Sequence, residues 1–125
     1  MKEELEKLNN GFIKYHDFEL VDLTKDKVTI KVPLNDKGLN PYGMAHGGLI
    51  YALGDTVMGV HCFSLGHQGV TLNASVNYLN PGKGEYLTAE SELIKEGSHV
   101  SFFKANIYDE NHNIVANMEA SYYYK

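Results

Sequence analysis

The stretch that decides the fold is NPYGMAHGGLIYALGD, residues 40–55. It begins as a loop rich in Asn, Pro and Gly and continues into an apolar segment with helical spacing. One His and two adjacent Gly stand at the junction, and Asp55 lies among apolar residues further on. A buried charge is costly unless it is paired or used. The stretch therefore predicts a helix that carries polar groups for a structural or chemical reason.

The apolar residues from His46 to about Leu65 recur at helical spacing and cover most of the helix circumference, which predicts a central, buried helix. They are Leu49, Ile50, Leu53, Val57, Met58, Val60 and Phe63. Each glycine in a helix interior costs up to about 1 kcal/mol relative to alanine. A close approach of another backbone or of a ligand is the expected reason for Gly47, Gly48, Gly54 and Gly59.

Strand patterns flank this helix on both sides. Residues 28–32 alternate before Pro33, and four strand-like segments follow the helix at about 70–78, 86–96, 100–109 and 114 to the C-terminus. A short amphipathic helix is expected over residues 2–9. One long helix across an antiparallel sheet is an α+β arrangement. Because one helix covers one face only, we expect association with a second copy.

Composition narrows the classes of function. The 125 residues predict one domain over 1–125, and a net charge of −5 without a basic block argues against nucleic acid as a partner. A small anionic ligand stays possible, because a helix N-terminus can hold phosphate. The charged N-terminus, the single Cys62 and the lack of a run of about 18 apolar residues predict a cytoplasmic protein without membrane contact.

The helix start and Asp55 are the candidate chemical groups. Backbone N–H groups at Gly47 and Gly48 would lack helical partners and could form an oxyanion hole, although an ordinary glycine turn is the alternative. Asp55 is either a used carboxylate or an acid on a narrow solvent-facing side. Gly47 and Asp55 are eight positions apart, about 12 Å along a helix. Both groups could meet at one carbonyl only if two copies pair with antiparallel helices, which predicts two equivalent sites in a dimer.

The pattern Asn40-x5-His46-Gly47-Gly48-x6-Asp55, followed by VTLNASVNYLNPGKG at 70–84, resembles the hotdog-fold acyl-CoA thioesterases of the phenylacetic-acid (PaaI-like) type. The similarity spans roughly residues 28–124. It implies hydrolysis of a small acyl- or aryl-acyl-CoA to free acid and CoA, with the acid at position 55 as nucleophile or general base. It further implies that the Gly47 N–H polarises the thioester carbonyl and that Asn40 positions the water or the thioester.

The resemblance assigns roles to further residues. Thr71 occupies the position of the Ser or Thr that family members place near the acid, and His46 is expected to organise the loop or contact the thioester. Gly48, Asn73 and Lys83 are the expected substrate-binding residues; Asn73 is expected to share the polar face of its strand with Thr71, and Lys83 to meet CoA phosphates. A plain polar strand face and solvated lysines are the alternatives.

No metal and no cofactor are expected, since CoA is part of the substrate. Tyr122, Tyr123 and Tyr124 fit an alternating strand, which indicates packing or an interface. The expected assembly is a homodimer or a dimer of dimers. Two other functions stay open on the same fold: a sensor or carrier that binds acyl-CoA without hydrolysis, and a hydratase, for which no second acid/base residue stands at a recognisable spacing.

Overall fold

The computed structural model describes residues 11–125, so the helix predicted over residues 2–9 lies outside the described residues. Within residues 11–125 there are two helices, α1 (Gly11–Tyr15) and α2 (Gly47–Ser64). The same residues form six strands, β1 (Glu19–Leu23), β2 (Lys27–Pro33), β3 (Gly69–Tyr78), β4 (Tyr86–Glu96), β5 (Val100–Asp109) and β6 (Ile114–Tyr124). Neither helix combines the length and apolar composition needed to cross a membrane in this part of the chain.

The strands form one antiparallel sheet in the order β1-β2-β4-β5-β6-β3, and the predicted α+β arrangement is confirmed. Strand β1 was not predicted from the sequence. Its residues ELVDL do not alternate strictly, and four of the five are exposed. It is an edge strand that pairs with β2 through a register shift, so its sequence carries little of the burial signal on which strand prediction depends.

Helix α2 lies across one face of the sheet and supplies much of the core. Its ends agree with the prediction to within one residue, with His46 as N-cap and Leu65 as C-cap. The helix residues that are buried are Leu49, Ile50, Leu53, Gly54, Val57, Met58, Val60, His61, Cys62 and Ser64. They pack against inward side chains of every strand from β2 to β6, and burial of this apolar surface is the main source of stability.

Gly54 shows why the helix tolerates a glycine. A Cβ at this position would overlap Sδ of Met118 on β6 and come within 3.3 Å of Cδ1 of Ile107 on β5. The close approach expected from the sequence is therefore present, but it is made by side chains of the sheet. The missing Cβ lets α2 pack directly on β5 and β6 at the turn that carries Asp55.

A β-bulge in β3 changes which side chains face the helix. Thr71 pairs with Tyr122, but Asn73 pairs with Ser121, so Leu72 is an extra residue. Thr71 therefore shares the helix-facing side with Tyr122, while Asn73 lies beside Ser121 on the opposite face. The expectation that Thr71 and Asn73 share one face is wrong, because alternation does not continue through a bulge.

Candidate functional site

Asp55 is half-buried on α2, and two hydroxyl groups from the sheet bind it. Thr71 Oγ1 donates to Asp55 Oδ1 at 2.8 Å, and Tyr122 Oη lies 2.7 Å from the same oxygen. Tyr122 Oη also lies 2.8 Å from the backbone carbonyl oxygen of Asp55. No residue in the described part of the chain donates to Oδ2. The carboxylate is thus held through one oxygen, and its other oxygen has no protein donor.

Tyr122 is a component of this site that the sequence did not reveal as such. Its side chain is 2% exposed, and its pKa is raised far above the ordinary value by burial and, next, by the charge of Asp55. The sequence prediction gave it only packing or an interface. Tyr122 could have been connected with Thr71 only through their cross-strand register. That register depends on the bulge and therefore follows only from the structure.

A cavity of about 570 Å³ opens beside Asp55. Such a volume lies within the range of small-molecule sites. Its wall is formed by α1, by one side of α2, by residues 67–68 and the start of β3, and by Tyr122 and Lys125. The lining residues that are most apolar are Ile13, Val60, Phe63 and Val70. The Asp55 carboxylate is therefore a charged group at the wall of a largely apolar pocket.

The start of α2 leaves one backbone donor unused. The Nδ1 of His46 accepts from the Gly48 N–H at 2.8 Å, and the His46 carbonyl accepts from Leu49 and Ile50. Within the described residues nothing accepts from the Gly47 N–H. The helix start thus offers Gly47 as its donor, while Gly48, expected to bind substrate, already gives its N–H to His46.

Asn40 and Tyr78 build the loop around this donor. Oδ1 of Asn40 accepts from the backbone N–H groups of Tyr42 and Met44 at 2.9 and 3.1 Å, which leaves the Nδ2 amide for contact with a substrate. Tyr78 Oη donates to the Gly47 carbonyl at 2.8 Å and so ties the helix start to the end of β3. The tyrosine was not predicted from the sequence, where it appeared only as part of an alternating strand.

A second cavity of about 360 Å³ lies at the helix start and includes Asn40, Gly47, Tyr78 and Gly82 in its lining. It shares no lining residue with the cavity beside Asp55. The axial separation of about 12 Å between positions 47 and 55 agrees with this division. One chain therefore carries two separate half-sites, an N–H donor and a carboxylate.

The remaining predicted residues lie outside the Asp55 cavity. Asn73 lines a third cavity, of about 500 Å³, together with Lys95 and Phe102 on the face of the sheet opposite α2. This position does not bring Asn73 to the acid of its own chain. Lys83 is exposed and follows Gly82, which lines the cavity at the helix start. Its place is compatible with contact to a ligand bound there.

The cysteine of α2, Cys62, is buried in the hydrophobic core. Burial raises the pKa of the Cys62 thiol to about 11, so it stays protonated as a small apolar residue. From Gly11 to Lys125, no group of three His, Cys, Asp or Glu side chains is placed to hold a metal ion.

A long helix lies on an antiparallel sheet, with an N–H donor at its start and a carboxylate two turns inside. This arrangement agrees with the one expected from the resemblance to hotdog-fold thioesterases. A family model described as the thioesterase superfamily matches residues 42–116, and the chain belongs to this superfamily.

Individual relatives agree with the family. A Streptococcus mutans protein, smu.793, solved bound to acetyl CoA, is 31% identical, with 86% of this chain and 88% of that chain covered and a TM-score of 0.82. The Escherichia coli PaaI protein has a TM-score of 0.91 over 98% of this chain and 90% of its own, at 19% identity, which concerns the fold alone. Human acyl-coenzyme A thioesterase 13 is 26% identical over 86% of this chain and 84% of its own length.

Proposed function

We propose that the protein is an acyl-CoA thioesterase that hydrolyses a small acyl- or aryl-acyl-CoA to the free acid and CoA. The observation that carries the proposal is the Asp55 carboxylate, fixed through Oδ1 by Thr71 and Tyr122 at the wall of a largely apolar cavity. The apolar wall suits an acyl group, and the smu.793 protein binds a compound of the proposed substrate class.

The chemistry follows from the two half-sites. Asp55 either attacks the thioester carbonyl, forming an anhydride that water then hydrolyses, or accepts a proton from the water that attacks. Either route puts negative charge on the carbonyl oxygen, which the Gly47 N–H would stabilise. The carbon–sulfur bond breaks with its electron pair on sulfur, and CoA leaves as a thiolate that needs little acid assistance. No metal takes part in this scheme.

The two half-sites would meet across a homodimer. Strand β3 is a sheet edge with exposed Val70 and Leu72, 52% and 62% accessible, and such an edge favours pairing with a second copy. If the two copies of α2 run antiparallel, Asp55 of one chain comes beside Gly47 of the other. The exposed Ile94 and Phe102 on the outer face of the sheet would serve a dimer of dimers.

Supporting roles follow from position. Nδ2 of Asn40 would orient the water or the thioester, and His46 would organise the helix start through its bond to Gly48. Lys83 would meet a CoA phosphate near the cavity at the helix start. Residues 1–125 would act as one domain, and the protonated, buried Cys62 suits a cytoplasmic, reducing compartment.

Thiol release from short-chain, long-chain and aromatic acyl-CoAs tests the activity. We expect release by the wild type and a loss of at least about 10²-fold in Asp55→Asn, which keeps the side-chain size but removes the charge. Asp22→Asn, an exposed acid on β1, is the matched control and should keep wild-type rates. Saturable binding without thiol release would instead identify a sensor or carrier.

A purified heterodimer tests whether the site spans two chains. Gly47→Pro deletes the N–H and adds the proline ring, at a helix position that favours proline and after the extended backbone of His46 (ψ 139°). Gly47→Ala, whose Cβ would lie 3.3 Å from the Tyr78 hydroxyl, keeps the N–H and is the control. Dimers of Asp55→Ala alone or Gly47→Pro alone should be nearly inactive. Their heterodimer has one intact site and should show about half of wild-type activity, whereas a site within one chain would show no recovery.

A further inference from the structure

We propose that Tyr122 is a positioning residue of the Asp55 site, which fixes the carboxylate through Oδ1 and leaves Oδ2 for the reaction. This inference rests on the proposed thioesterase function. It assigns a task to a strand residue outside the helix and loop motif, and it distinguishes the two oxygens of the acid.

The contact joins the side chain of Asp55 to its own backbone. Tyr122 Oη lies 2.7 Å from Oδ1 and 2.8 Å from the carbonyl oxygen of the same residue. A phenol has one proton, and the charged carboxylate is the stronger acceptor for it. The Tyr122 hydroxyl thus lies next to both Oδ1 and the backbone carbonyl oxygen of Asp55. Rotation of the carboxylate away from the sheet would break a charge-assisted hydrogen bond.

Tyr122 is itself rigidly held. Its side chain is buried, and its ring packs edge-on against Phe103 at 5.7 Å between centroids and 80° between planes. The bulge after Thr71 puts Thr71 directly opposite Tyr122 on neighbouring strands. One cross-strand pair therefore presents two hydroxyl donors to one carboxylate oxygen, Oδ1.

The environment makes Tyr122 a donor rather than a proton carrier. Burial and the Asp55 charge raise its pKa, so the phenol keeps its proton over the working range of pH. It therefore neither accepts a proton from water nor delivers one as an acid. Oδ2, with no donor among the described residues, is the oxygen left to attack the thioester or to accept a proton from water.

Tyr122→Phe tests the inference because it removes the hydroxyl and keeps the packed ring. We expect kcat for thiol release to fall by about 10- to 100-fold with KM changed less than about 2-fold, since the hydroxyl acts on the acid and the ring that lines the cavity is kept. Tyr124→Phe is the matched control. Its hydroxyl bonds to Gly97 O at 2.8 Å, away from Asp55, so this variant should keep wild-type kcat.

A double-mutant cycle separates positioning from a general structural role. If Tyr122 acts through the acid, Tyr122→Phe should have no further effect on the residual rate of Asp55→Asn. An unchanged kcat in the single variant, or the same fold-loss in both backgrounds, would overturn the proposal.

Crystal structures of wild type and Tyr122→Phe give a readout that does not depend on activity. We expect one orientation of the Asp55 carboxylate in the wild type and more than one in the variant. A carboxylate that stays in place without the hydroxyl would contradict the inference even if no acyl-CoA proves to be a substrate. Conversely, an inactive wild type with a reoriented carboxylate in the variant would refute only the proposed function.

Discussion

Helix α2 carries Asp55 and His61 six positions apart, and the surroundings of the two side chains differ. His61 is fully buried, and both ring nitrogens have partners: Nδ1 lies 2.7 Å from Ser91 Oγ, and Nε2 lies 2.7 Å from the Lys25 carbonyl oxygen. Since a carbonyl only accepts, Nε2 donates, and in the neutral ring Nδ1 then accepts from the serine hydroxyl. Asp55 has protein donors on one oxygen only and borders a cavity.

The difference shows how a polar group on a buried helix can be assigned to structure or to chemistry. Burial lowers the pKa of His61, although the Lys25 carbonyl and the Asp26 charge oppose the shift, so the ring is a neutral link between β4 and the chain before β2. Every hydrogen-bonding atom of that ring is used within the fold. At Asp55 the fold uses half of the carboxylate, and the other half is available to a ligand.

The largest expected effect on stability comes from His61→Ala. The change removes a buried ring and leaves Ser91 Oγ and the Lys25 carbonyl without their partner, so the free energy of unfolding should fall by about 3–5 kcal/mol. Urea denaturation measures this loss. The folded fraction should still release thiol at the wild-type rate per site, which is the reverse of the result expected for Asp55→Asn.

Ser91→Ala provides a graded control for that variant. It removes one of the two hydrogen bonds and keeps the ring, so about 1–2 kcal/mol should be lost. The contrast between the two residues would break down if His61→Ala unfolded no more easily than wild type. It would also break down if its folded fraction lost thiol release as Asp55→Asn does.

Much of the fold was predictable because its signals are periodic. The helix from 47 to 64 and the strands β2 to β6 show the apolar spacing that burial on one side requires. Strand β1 lacked this signal because it is exposed at the edge of the sheet. The bulge at Leu72 is a tertiary feature of strand pairing, and for this reason the expectation that Asn73 shares a face with Thr71 failed, while Thr71 lies beside Asp55.

From spacing alone, the candidate site was predictable only where its residues are close in sequence, and Thr71 was predicted through the family resemblance instead. Gly47 and Asp55 lie on one helix, so their spacing and separation could be calculated. Tyr122 lies 67 positions from Asp55 and meets it through the pairing of β6 with β3, which no local pattern encodes. Tyr78 on β3 reaches Gly47 across 31 positions, because the end of β3 lies beside the start of α2.

The smallest expected effect is a pH dependence of stability that belongs to His61. Because its folded pKa is lowered, the unfolded chain binds a proton at His61 as the pH falls below the ordinary value of 6.5, while the folded chain does not. The free energy of unfolding should therefore decrease from pH 6.5 downward, by at most about 1.4 kcal/mol per pH unit, until the folded pKa is reached. Above pH 6.5 this contribution is fully present.

Urea denaturation of wild type and His61→Gln at several pH values measures that contribution by difference. Glutamine does not titrate, so the contributions of the exposed histidines and carboxylates common to both proteins cancel. The difference in the free energy of unfolding should shrink as the pH falls from 6.5.

Asp109 affects stability in a separate pH range. Backbone N–H donation from Asn113 lowers the pKa of Asp109, so the stabilisation that this carboxylate contributes is lost only as the pH falls below the ordinary pKa of 3.8.

If the stability curves of wild type and His61→Gln were parallel between pH 6.5 and about pH 5, His61 would take up its proton in the folded state as it does in the unfolded chain. His61 would then carry a charge on the buried side of α2, and the distinction from Asp55 would have to rest on the cavity alone.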